Sequence, residues 1–238
     1  MFFPWVGHFE QIRLSDSYVH YDDVHYPKGH RVNRVQIKTR DGMRWLTVPL
    51  QGMKLGDEIR HVRVDTRQDW PRRHLALLVQ AYAAAPYRDD MLALVERVYD
   101  RRVETICELS IASIDAACAY LGCRVGRTFR SSELGIGGSG SQRVLDIVEN
   151  LRGAVYVTAH GAANYLDHEA FERRGVRVEY IDYQTLPYTQ LHGAFTPYVS
   201  VLDLIANLGP AGAELIRSGT IPWRDHLACP TRTTSRDR

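Results

Sequence analysis

The sequence predicts an α/β chain of mixed α+β type. An antiparallel meander near the N-terminus joins a helical segment and a C-terminal β/α unit. Three observations predict it. Alternating apolar and polar residues crowd residues 18 to 65, the period then lengthens to that of helices, and past residue 150 short apolar strands alternate with helical stretches.

Residues 34–40 (RVQIKTR) alternate, Asp41-Gly42 marks a tight turn, and residues 44–50 (RWLTVPL) resume, which is a hairpin signal. Residues 59–65 (IRHVRVD) alternate again as a third strand. Residues 70–85 then read as a helix with Pro71 in its first turn and Pro86 beyond its end. A second helix spans 89–99, and a third spans 105–121 and stops at Gly122. The glycine-rich run 135–143 (GIGGSGSQR) leads into 144–151, where Val144, Ile147, Val148 and Leu151 share a helical face. Residues 154–159 (AVYVTA) and 177–183 (RVEYIDY) are short strands, and a late helix covers 199–207. With no composition break to divide the chain, residues 1–227 read as one domain and 228–238 as a polar tail.

Bulk properties narrow the function. With 30 Lys+Arg against 28 Asp+Glu, the near balance of charge argues against a nucleic-acid partner. No apolar run reaches the roughly 18 residues that span a bilayer, and the start MFFPWVGHF lacks a basic leader region. The expectation is a soluble, cytoplasmic protein with no membrane partner. Cys107, Cys118, Cys123 and Cys229 form no CxxC pair, so neither a zinc knuckle nor a disulfide framework is expected. Cys107 and Cys118 lie in an apolar-periodic helix, where inert buried thiols are the default. No GxSxG elbow supplies a serine nucleophile. No covalent intermediate on a cysteine or serine is therefore expected.

A set of segments, in order from residue 2 to about residue 209, carries a resemblance: FFPWVGHF, YDDVHY, NRVQIKT, WLTVPL, Trp70 with His74-Leu75, SSEL, GSGSQRVLDI, Tyr165-Leu166-Asp167 with Phe171, and LPYTQLHGAFTPYVSVLDLIANLG. Together they resemble the WbqC-like protein family. The resemblance implies acyl or aminoacyl transfer, with glycine transfer to an amino sugar as the type reaction, in surface-polysaccharide or natural-product pathways. It implies an acyl donor carried as a thioester on coenzyme A or an acyl carrier protein, a small-molecule amine acceptor, and no bound cofactor. Members of that family open with a strand ending in His-Gln-Pro ahead of the aromatic-Pro-Trp segment. This chain opens at Met1-Phe2-Phe3-Pro4, so no role of that histidine carries over. Nothing in the sequence speaks to oligomeric state.

The densest chemistry is the stretch HYDDVHYPKGHRVNR, residues 20–34. Strand alternation sets His20 and Asp22 on one face and Asp23 and His25 on the other, while His30 lies beyond a turn. These side chains need not converge, so no metal site is expected. The plainer reading is a half-exposed polar strand. The functional one is a substrate site of Asp22, Asp23, Asn33 and Arg34, all of which match the family pattern. There a carboxylate would hold an ammonium group, and Arg34 would pair with Asp22, Asp23 or an anion.

His74 matches the family's Trp-to-His spacing and is the candidate general base, because an attacking amine must lose a proton. Its plainer reading is a histidine packed on its helix. Gly140 and Arg143 sit where a helix N-terminus could hold phosphate, with Arg143 on the helix's polar side. The alternative there is simple capping by Ser139 or Ser141. His160, Tyr165 and Asp167 follow a strand's carboxyl end, a common ligand position, and Gln190 offers an amide. Tyr165, Asp167 and Gln190 serve equally well as structural residues; His160 stands where the family has a small residue, so its role is specific to this protein or none. The rival functions are a glycosyl- or nucleotidyl-type transferase using a sugar nucleotide, and a non-catalytic pathway binding protein.

Overall fold

The protein is described by a computed structural model covering residues 1–27, 32–123 and 126–228. The expectations for His30, Cys229 and the tail beyond Ala228 fall outside these residues. In chain order the elements are α1 (Val6–Arg13), β1 (Ser17–His20), β2 (Arg34–Thr39), β3 (Gly42–Thr47), β4 (Leu50–Gln51), β5 (Arg63–Val64), α2 (Trp70–Ala81), α3 (Arg88–Tyr99), α4 (Ile106–Leu121), β6 (Arg127–Arg130), α5 (Gly140–Asn150), β7 (Val155–Thr158), α6 (His168–Arg173), β8 (Arg177–Asp182), α7 (Val201–Leu208), β9 (Gly219–Pro222) and α8 (Trp223–Ala228). The architecture is mixed α+β, with the expected N-terminal antiparallel pair. Two compact units are interleaved in sequence. One comprises Met1–Phe9, Tyr21–Arg124 and Thr185–Ile216; the other comprises Glu10–His20, Val125–Gln184 and Arg217–Arg238.

In the first unit, β2 and β3 form the expected hairpin, with Arg34 opposite Thr47 and Thr39 opposite Gly42. The meander does not continue on either side of it. Residues 59–61 form a 3-10 turn, and only Arg63–Val64 pair as a strand, with Leu50–Gln51. The helical core is built from α2, α3, α4 and α7, with Leu78, Met91, Leu94, Val98, Ile106, Leu202 and Ile205 buried. Helix starts follow local chemistry. Asp69 caps α2 by accepting from the Arg72 amide, and Thr105 with Glu108 forms a reciprocal capping box on α4. Gly122 ends α4 at φ 64°, a left-handed conformation that costs glycine little.

In the second unit, β7 and β8 run parallel and β9 adds antiparallel to β8. Val144, Leu145 and Val148 of α5 pack with Leu166, Phe171, Val176, Val178 and Tyr180 over this sheet. Strand β1 belongs here, not in a meander: it pairs in parallel with β6, Ser17 opposite Arg127 and His20 opposite Arg130. The strand ends at His20, so Asp22 and Asp23 are not on alternating strand faces as expected. They lie on an extended segment that runs against residues 57–60, with Arg60 N–H donating to Asp22 O at 2.9 Å and Ile59 N–H to Val24 O at 3.0 Å. Among the described residues no helix is long and apolar enough to cross a membrane.

Candidate functional site

The most concentrated buried polar chemistry of the first unit starts on β2. Alternation there assigns Val35, Ile37 and Thr39 to one face and Arg34, Gln36 and Lys38 to the other. Lys38 should therefore meet water, yet it is 5% exposed. The segment from residue 186 to 200 covers it. Ser200 N–H donates to Gln36 O at 2.8 Å, and Ser200 Oγ donates to Phe3 O at 2.9 Å. Lys38 Nζ donates to Gln190 Oε1 at 3.3 Å, to Gly193 O at 3.2 Å and to Ala194 O. All three ammonium donors meet protein oxygens, so this cation holds the loop in place.

Gln190 is the hinge of the network. Its Oε1 accepts from Lys38 and from Thr196 N–H at 2.8 Å; its Nε2 donates to Tyr188 Oη at 3.0 Å and to Thr196 O at 3.1 Å. A carboxamide has two donors and two acceptor sites, and all four are used. Gln190 is thus a clamp in this geometry and leaves no hydrogen-bonding capacity for a ligand. Beyond it, the Tyr188 hydroxyl donates to Asp203 Oδ1 at 2.8 Å, the Tyr82 hydroxyl to Asp203 Oδ2 at 2.9 Å, and Asn207 Nδ2 to Asp203 O at 2.8 Å. Asp203 and Tyr82 are wholly buried, whereas Tyr188 is half-buried. Burial raises the Asp203 pKa above the ordinary carboxylate range, against the phenols, Gln190 and the Lys38 charge, which lower it. Burial likewise pushes the Tyr82 phenol well up.

The loop over this network is strained. Non-glycine residues with left-handed backbone include Phe3 (φ 36°), His192 (φ 67°) and Tyr198 (φ 65°). Each such residue costs about 1–3 kcal/mol and persists only where its surroundings over-determine it. His192 Nε2 donates to Ala81 O at 2.7 Å, and Tyr198 packs edge-on against Trp5 with centroids 5.0 Å apart. The sequence reading missed Lys38, Tyr188 and Asp203. A signal for Asp203 was present: it is a single carboxylate inside the otherwise apolar run VLDLIA.

The other first-unit candidates lie apart from this network. His74 is 7% exposed and has both ring nitrogens engaged. Nε2 donates to Thr47 O at 3.1 Å, which leaves Nδ1 to accept from the Tyr99 hydroxyl at 2.9 Å. Trp70, Phe2 and Tyr99 surround the ring. Burial lowers its pKa to about 4. The lone pair a general base would use is occupied, so this geometry is that of a packed, satisfied histidine. Asp22 is buried and Asp23 half-buried. Their charges act on Arg60, whose guanidinium is held protonated chiefly by Glu58. Arg34, the expected partner, lies over the Trp45 ring at 4.8 Å. Asn33 accepts from the Tyr26 hydroxyl at 2.8 Å and donates to Val48 O at 2.7 Å, pinning the chain beside the hairpin.

In the second unit, Gly140 opens α5 at φ 62°, and Ser139 makes no side-chain cap. Arg143 is 5% exposed, not on the helix's polar face as expected. Its Nε donates back to Ile136 O at 3.0 Å, because the glycine-rich loop folds over it. Ser141 Oγ accepts from the Asp167 amide at 2.9 Å, which ties Asp167 to the first turn of α5. The Asp167 carboxylate caps α6, accepting from Ala170 N–H at 3.0 Å. Tyr165 is exposed. His160 donates to Ile181 O at 2.9 Å and lies 4.8 Å from the His226 ring, away from the glycine loop's hydrogen bonds. The Cys118 thiol is pushed up strongly by Cys123 and by burial, the state of an unreactive thiol. Among the described residues no three His, Cys, Asp or Glu side chains converge as a metal-binding group.

The uncharacterized protein Rv1507c of Mycobacterium tuberculosis (strain ATCC 25618 / H37Rv) is 31% identical over 219 residues, covering 91% of this chain and 94% of its own. No solved structure matches. The profile of the WbqC-like protein family matches residues 1–215, a span that includes Lys38, Tyr188, Gln190 and Asp203, and the chain belongs to that family.

Proposed function

We propose that the protein is an acyl- or aminoacyltransferase. It joins an activated acyl group, presented as a coenzyme A or carrier-protein thioester, to a small-molecule amine such as an amino sugar. No resident cofactor is needed, since the thioester is itself the activated co-substrate, and the cytoplasm is where such donors are available. The observation that carries the reading is the Lys38–Gln190–Tyr188–Asp203 network beneath the strained 186–200 loop. Buried charges cost several kcal/mol each unless they are fully partnered. Groups with perturbed titration held beneath a strained loop are the usual material of a reactive site. In this reading the half-buried Asp23, next to the buried Asp22, holds the ammonium group of the acceptor.

The test is direct. The purified protein is incubated with a panel of aminoacyl and acyl thioesters and with amino sugars or their nucleotides, and amide products are sought by mass. A product bearing the acyl mass, with stoichiometric release of thiol, supports the reading. Ligand binding without turnover across the panel would favour a non-catalytic pathway protein. One observation favours a second reading, a sugar-nucleotide transferase: the N-terminus of α5 carries no side-chain cap and sits in a glycine-rich loop. Release of free nucleotide dependent on a divalent ion, without amide formation, would select it.

A further inference from the structure

We infer that Tyr188, backed by Asp203, is the group that accepts the proton shed by the attacking amine. This rests on the acyl-transfer reading and names its base. The base that the sequence suggests is occupied: His74 has both ring nitrogens in hydrogen bonds. Of the two phenols on Asp203, Tyr82 is wholly buried and Tyr188 half-buried. Tyr188 is therefore the one of these two phenols whose residue retains exposed surface. Its hydroxyl proton already points along a 2.8 Å bond to Asp203 Oδ1. Gln190 Nε2, donating to the same oxygen at 3.0 Å, fixes the ring's orientation, and Lys38 fixes Gln190. Burial, which makes Asp203 a stronger base than a surface carboxylate, supports the same direction of proton flow.

The step balances without any further reagent. The amine nitrogen adds its lone pair to the thioester carbonyl carbon, and the C=O π pair moves onto oxygen. The ammonium N–H proton passes to Tyr188 Oη as the Tyr188 hydroxyl proton moves to Asp203 Oδ1. The oxygen pair then re-forms the carbonyl, the C–S bond breaks, and the departing thiolate takes the proton back through Tyr188. Amine and thioester become amide and thiol, and the dyad is restored. In this step Tyr188 is catalytic; Asp203, Gln190 and Lys38 are positioning residues.

The experiment has two arms on the full-length chain. In the first, turnover of glucosamine with glycyl-N-acetylcysteamine thioester is compared for wild type, Tyr188→Phe and Asp203→Asn, with thermal melts as the check on folding. The expected result is a fall in kcat of at least about 100-fold for Tyr188→Phe, the lower range for a lost general base, with little change in KM. The pH–rate profile should lose its acid limb in Asp203→Asn. In the second arm, 3-fluorotyrosine is placed at position 188. This keeps the hydroxyl and the fold, and the ¹⁹F resonance is followed as glucosamine is added. A shift that saturates, and an acid limb moved to lower pH by the more acidic phenol, support the dyad even where Tyr188→Phe fails to fold. Wild-type turnover with Tyr188→Phe near the parental rate overturns the dyad and leaves the transfer reading intact. A saturable ¹⁹F shift with no turnover by wild type sinks the transfer reading while retaining Tyr188 as an amine contact. No shift and no turnover removes both.

Discussion

Tyr188 donates its hydroxyl proton to Asp203 Oδ1 across 2.8 Å, and Asp203 sits wholly buried on α7, a helix whose other inward residues are almost all apolar. Across the same network Lys38 is buried on β2, and its charge acts on Asp203. Removing one member leaves the other's charge in a low-dielectric setting.

Lys38→Met and Asp203→Leu should therefore each destabilise the protein by about 1–3 kcal/mol, the cost of leaving buried hydrogen-bonding partners unsatisfied. The double variant should recover part of that loss. Urea denaturation of the four proteins as a double-mutant cycle measures it; strict additivity would show that the two charges do not interact.

His74→Ala should cost stability before it costs chemistry. It deprives the Tyr99 hydroxyl and Thr47 O of their shared partner and opens space among Phe2, Trp70 and Tyr99. The loss of a buried hydrogen-bonding partner is worth about 1–3 kcal/mol. Chemical denaturation checks the loss. A variant of parental stability that had lost all turnover would restore His74 as the base.

The same residue sets a pH dependence. Burial lowers the His74 pKa from an ordinary 6.5 to about 4 in the folded state. Between these values the unfolded chain binds more protons than the native one, so stability rises with pH across that window. The contribution is complete above pH 6.5 and is lost as pH falls toward 4, about 3 kcal/mol in all. His168, also lowered by burial, acts with the same sign. Asp203 and Glu10, raised by burial, act with the opposite sign. Melting temperature recorded from pH 7 to pH 4 should fall more gently in His74→Gln than in wild type. Equal slopes would contradict the assignment.

Arg143→Ala should destabilise the second unit by about 1–3 kcal/mol, because it strips the Ile136 carbonyl of a buried, charge-assisted donor. Proteolysis within residues 135–140 should accelerate with it, since that loop folds over the guanidinium. An unchanged cleavage rate would show that the glycine loop holds itself.

Local pattern determined much of this protein. The hairpin of β2 and β3, the four helices α2 to α5, and strands β7 and β8 follow from period, capping residues and turn glycines, all of which act between near neighbours in the chain. The extent of α2 did not: it ends at Ala81, five residues ahead of Pro86, and Tyr82 just beyond it reaches Asp203. Family motifs pointed to Gln190, Asp22, Asp23 and Asn33, but not to what they touch.

Tertiary structure alone decided the rest. Strand β1 pairs in parallel with β6, a partnership set by closing a long loop, which no local signal encodes. His74 reads as a base until Thr47 and Tyr99 take both its nitrogens. Lys38 lies on the strand face that alternation gives to solvent, and it becomes an internal cation only because residues 186–200 lie over it. Periodicity tells which side chains share a face; it cannot tell what will come to cover that face, and here the covering segment made the buried network.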